Sequence, residues 1–121
     1  MAARFIIRDD KDCNEQTGVF GSDLRFEVAT KTASYTITTS DAVLFFLATT
    51  PGIIATLPTA ASVFSDGKSS MFYVRNLARS NNPITINVTG GGLIETKTSV
   101  TLFVDEWASI VSDGTEYWWI K

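Results

Sequence analysis

The sequence predicts an all-β fold, a small antiparallel sandwich or a barrel-like domain. Three observations carry that reading. β-Branched and aromatic residues dominate the apolar set, and threonine alone occurs sixteen times, a composition that favours strands. No window of eleven or more residues holds a 3.6-residue apolar stripe. Short apolar runs recur instead, separated by Gly, Pro, Asn, Asp and Ser. With 121 residues, the length fits one domain, large enough to bury a core without staples.

Taken in order, strands are expected near 4–8, 24–29, 34–38, 43–48, 53–57, 70–76, 84–88, 92–95, 99–104, 107–112 and 115–120. One helical candidate, residues 59–64, follows Pro58 and spans barely two turns; proline suits a helix's first turn. The turns are sharper than the strands. Asp113-Gly114 between apolar runs is the strongest short-range hairpin signal, a type I′ turn in which both central residues take positive φ. Ser65-Asp66-Gly67 and Asn81-Asn82-Pro83 read as further turns. Gly90-Gly91-Gly92 separates two strands; no Lys and Ser or Thr follow it, so it is a turn and not a phosphate cradle.

Two strands are unlike those of a sheet with one wet face. Residues 43–47 are apolar on both sides, and so are 117–120. A strand apolar on both faces must be covered on both, which points to oligomerisation. Alternation puts Trp118 and Ile120 on one side of the last strand, with Tyr117 and Trp119 on the other. From these strands, Phe45, Leu47, Trp118 and Ile120 are the candidate subunit-contact residues.

Composition narrows function. Histidine is absent, and Cys13 is the single cysteine. The commonest general base, the commonest zinc ligand and any internal disulfide are therefore missing. Net charge is -3, and the ten basic residues form no run, unlike a nucleic-acid binder. No apolar run is long enough to span a bilayer. Met1 is followed by no basic-then-apolar leader, so no secretory signal is expected. Asp105, Glu106 and Asp113 are the only carboxylates that suggest an acid pair, and all three fall at turns. Asp10-x-Asp12-x-Asn14 starts like a calcium loop but has Glu15 where glycine is needed and Gly21 where glutamate is needed. The segment 9–18 is read as a solvated acidic loop. The expectation is a protein without catalytic activity, metal or cofactor.

Residues 34–120 also carry an ordered set of short patterns. Tyr35-Thr36-Ile37-Thr38-Thr39-Ser40-Asp41 is followed by Thr56-Leu57-Pro58. Ile84-Thr85-Ile86 comes next, then Ser112-Asp113-Gly114-Thr115 before Tyr117-Trp118. This order resembles a β module found in tailed-bacteriophage virion proteins: tail fibres, head fibres and capsid decoration proteins. The likeness spans about seven tenths of the chain and implies a homotrimer with a structural or binding role. Residues 1–33 fall outside it and are expected to form an N-terminal arm or docking segment, with 34–121 as the β module. A 121-residue chain leaves no room for a fibre shaft. The resemblance therefore implies a cement protein on the capsid surface, whose partner is the major capsid protein. Arg4, Phe5, Ile6, Ile7 and Arg8 are the candidate docking residues. The alternative it implies is a receptor-binding module of a tail or head fibre, binding a host glycan through exposed Trp and Tyr.

Overall fold

The computed structural model describes residues 25–120. Eleven strands occur there: β1 (Val28–Lys31), β2 (Tyr35–Thr36), β3 (Val43–Phe46), β4 (Ile54–Leu57), β5 (Phe64–Ser65), β6 (Lys68–Ser69), β7 (Met71–Asn76), β8 (Ile84–Val88), β9 (Ser99–Leu102), β10 (Trp107–Ser112) and β11 (Tyr117–Ile120). Five of them form one sheet in the order β11-β10-β7-β3-β1, and four form a second in the order β9-β8-β4-β2. The pair β5-β6 stands apart as a minimal hairpin, its turn made by Asp66 and Gly67 at φ 53 and 71.

The all-β expectation holds, but the sheets are mixed rather than antiparallel, and neither closes into a barrel. β1 runs parallel to β3 and β3 parallel to β7. In the other sheet β2 is parallel to β4 and β4 to β8. The cause is the winding. From β1 to β4 the chain places successive strands in alternate sheets, and β7 and β8 continue the pattern. Every return to a sheet then points the same way as the last. Parallel strands need a crossover, and here a strand of the opposite sheet supplies it. In the two main sheets antiparallel pairing enters only late, in β8-β9, β7-β10 and β10-β11.

Each main strand sends alternate side chains into one shared core. Leu44 and Phe46 of β3, Phe72 and Val74 of β7, and Ala108 and Ile110 of β10 meet Ala55 and Leu57 of β4 and Ile84 and Ile86 of β8. Phe72 and Tyr117 contact edge to face, with centroids 6.4 Å apart. Three buried hydroxyl groups are tied down. Tyr117 donates its hydroxyl to the Pro58 carbonyl at 2.6 Å. Ser80 Oγ accepts from Ala48 N–H and donates to the Phe46 carbonyl. Ser112 Oγ donates to the Ala60 carbonyl at 2.7 Å.

Other local expectations shift. The helical candidate is a single 3-10 turn, Ala60–Val63. The strand expected at 92–95 is only a bridge at Ile94, because Glu95 and Thr96 both adopt positive φ and turn the chain. The hairpin at Asp113-Gly114 forms, but not as a type I′ turn. Gly114 has φ 96 while Asp113 is not left-handed. The loop is four residues long, since Ser112 pairs with Tyr117. Val28–Lys31, from the segment assigned to the arm, is an edge strand of the five-stranded sheet. Among the described residues no helix is long and apolar enough to cross a membrane.

Candidate functional site

The side chains not used by the core of the five-stranded sheet point outward, and register aligns them into rows. One row crosses all five strands: Val28, Val43, Tyr73, Ser109 and Ile120. The next holds Thr30, Phe45, Arg75 and Trp107, and the third holds Met71, Val111 and Trp118. Neighbouring strands lie about 4.8 Å apart, so the longest row covers about 19 Å. The face is apolar and partly bare: Val28 is 57% exposed, Ile120 53% and Met71 52%.

Three of the four candidate contact residues, Phe45, Trp118 and Ile120, stand in these rows. Trp118 and Ile120 stand at the β11 edge, both exposed. Phe45 is half-buried on β3, and Leu47 continues the alternation one step past that strand, where its N–H donates to the Lys31 carbonyl at 2.9 Å. Phe45 and Leu47 are separated from Trp118 and Ile120 by β7 and β10. What sequence reasoning missed is the material between them. Met71, Tyr73 and Trp107 complete the face, and the alternation within 71–76 and 107–112 was the signal for them.

Specific contacts hold the face in shape. Tyr73 and Trp107 stack with centroids 5.5 Å apart and planes 28° apart. Arg75 pairs with Asp105 at the rim. Trp118 is oriented by Nε1–H donating to Asp113 Oδ2 at 2.8 Å. Asp113 Oδ1 accepts from Thr115 N–H and Glu116 N–H. The Glu116 amide, the Trp118 indole and the Thr115 amide, in that order, hold the Asp113 carboxyl below its ordinary range. An aromatic side chain of the face is thus locked by a carboxylate that stays ionised.

The three carboxylates considered as an acid pair all have local partners. Asp105 pairs with Arg75. Glu106 Oε1 accepts from Phe103 N–H at 2.8 Å, closing its own turn. Asp113 braces the last hairpin. Among the described residues no three metal-ligating side chains cluster. Arg4, Phe5, Ile6, Ile7, Arg8, the acidic motif at Asp10, Asp12 and Asn14, and Cys13 lie outside the described residues.

Full burial of one such aliphatic or aromatic side chain is worth about 1.5–3 kcal/mol. Association costs at least about 4 kcal/mol in lost freedom. A partner must therefore cover several of these residues at once, and the aligned rows allow that. Comparison with protein-family models, with curated proteins and with solved structures gave no match in any of the three.

Proposed function

We propose that this chain is a non-catalytic structural protein that assembles with copies of itself through the outer face of the five-stranded sheet. The single observation that carries the reading is that face, three aligned rows that are mostly apolar, broken by Thr30, Ser109 and the ion-paired Arg75, although the inner faces already share a core. Monomeric proteins rarely leave so continuous an apolar surface uncovered. The occupant favoured by its chemistry is flat, apolar and nearly free of charge; a second copy of the same face has that character and is always present with the first.

The likeness of residues 34–120 to bacteriophage virion modules supports the finer reading. In it, three copies form a trimer that decorates an assembled capsid and stabilises it. Ligands that bind only the assembled state stabilise it by mass action, and three linked contacts multiply weak ones. Arg4, Phe5, Ile6, Ile7 and Arg8 are the contacts to the major capsid protein. The test is cosedimentation of the full chain with emptied phage shells. Saturable binding at lattice-wide stoichiometry is expected, together with loss of binding, but not of folding, on deletion of residues 2–8. Shell binding that survives the deletion contradicts the docking assignment, and no binding by the full chain contradicts the decoration role.

A further inference from the structure

The open side of the sandwich, between edge strands β9 and β11, holds a second feature that the assembly face does not use. It is a shallow, open depression of about 650 Å³ lined by Glu95, Lys97, Ser99, Val100, Thr101 and Trp119. Trp119 sits opposite Ile110 in register and packs against the core. Trp119 also lines the depression.

The carboxylate and ammonium beside it are put there by a strained turn. Glu95 and Thr96 lie at φ 52 and 66, closed by Ile94 N–H to the Lys97 carbonyl at 2.7 Å and Lys97 N–H to the Ile94 carbonyl at 2.8 Å. Such two-residue turns normally take Asn-Gly, and a β-branched residue at positive φ is an outlier. Backbone outliers that the surroundings over-determine concentrate at ligand sites. Here the surroundings are β11. Glu95 N–H donates to the Tyr117 carbonyl at 3.0 Å. Thr96 N–H donates to Glu116 Oε2 at 3.3 Å. Trp119 N–H donates to Glu95 Oε2 at 2.6 Å. The last bond, from the Trp119 backbone amide, ties the Glu95 carboxylate to β11.

We infer that this depression is a saccharide subsite that takes a neutral pyranose against Trp119. An aromatic wall suits the C–H face of a sugar ring. Glu95, Lys97, Ser99 and Thr101 supply acceptors and donors for its hydroxyls. One carboxylate beside one ammonium gives the site no net charge, so a phosphate or an acidic sugar meets repulsion from Glu95 as well as attraction to Lys97. A purely apolar ligand leaves the polar rim unpaired, which costs affinity. The subsite does not depend on the assembly reading.

The experiment is an amide and indole NMR titration of the full chain with maltotriose, cellotriose and chitotriose, with sialyllactose as the acidic comparison. At least one neutral trisaccharide should give saturable shifts centred on Trp119, Lys97, Ser99 and Thr101. The exposed double variant Lys97→Ala/Thr101→Ala should weaken that binding roughly tenfold, the loss of about two hydrogen bonds, with the remaining spectrum unchanged. Absence of saturable shifts with all three neutral sugars overturns the inference. A response to sialyllactose alone, or shifts centred on Tyr73, Trp107 and Trp118, overturns it equally.

Discussion

On the outer face of the four-stranded sheet stand Thr36, Thr56, Asn87 and Ser99 in one row, and Ile54, Thr85 and Thr101 in the next. On the outer face of the five-stranded sheet the equivalent rows are Val28, Val43, Tyr73, Ser109, Ile120 and Thr30, Phe45, Arg75, Trp107. Both sheets are built by the same crossover winding, and both bury the same kind of inner face. One outer face is nearly all hydroxyl and amide, as expected beside water; the other is mostly apolar, with Thr30, Ser109 and Arg75 as the exceptions. The inner faces alone complete the core, so the second apolar face is not needed to fold one subunit. On the proposed reading, a need outside the subunit accounts for it.

The largest effect expected from breaking this contrast comes from matched charges on the two faces. Phe45→Glu should abolish the dependence of the thermal midpoint on protein concentration, whereas Thr56→Glu should leave it intact. In the native protein a tenfold increase in concentration should raise the midpoint by a few degrees, because assembly stabilises the folded state by mass action. Scanning calorimetry at several concentrations checks this, and equal behaviour of the two variants erases the distinction between the faces.

A smaller effect lies at the inner end of the last strand. Tyr117 is fully buried, and burial raises its hydroxyl pKa above the ordinary value of 10. The unfolded chain then ionises first. The stability contributed is intact below about pH 10 and is lost as pH climbs through the folded value. Tyr117→Phe should remove that alkaline loss, at a cost of about 1–2 kcal/mol at neutral pH from the stranded Pro58 carbonyl. Urea unfolding at pH 7 and pH 11 measures both.

The smallest effect belongs to the exposed rim. The folded Asp113 pKa lies below its unfolded value, so its contribution is present above the unfolded carboxylate range and is lost as pH falls through the folded value. Asp113→Ala should flatten the acid limb of the stability profile slightly. It should also free the Trp118 indole, visible as faster hydrogen exchange at Nε1.

Alternation made much of this legible. The pattern within 117–120 assigned Trp118 and Ile120 to one side and Tyr117 and Trp119 to the other, and their exposures follow that division. Asp113-Gly114 located the last hairpin, though Asp113 serves there as an acceptor for three donors rather than as a left-handed residue. The parallel winding was hidden because a strand's pattern shows which side is buried but not which strand lies alongside. Val43 and Tyr73 are thirty residues apart and become neighbours only through a crossover. The depression beside Trp119 was hidden for a similar reason. Glu95 looks like part of a strand until Tyr117 and Trp119, more than twenty residues later, hold its turn in place.

The most direct test of the assembly face is the solution mass of the full chain by light scattering after size exclusion, at several concentrations and alongside Ile120→Glu. The predicted result is a stable mass three times the 13.2 kDa of the chain, falling to a single chain in the variant while circular dichroism is unchanged. A native protein that stays at single-chain mass at every concentration contradicts the claim that the outer face of the five-stranded sheet is a subunit interface.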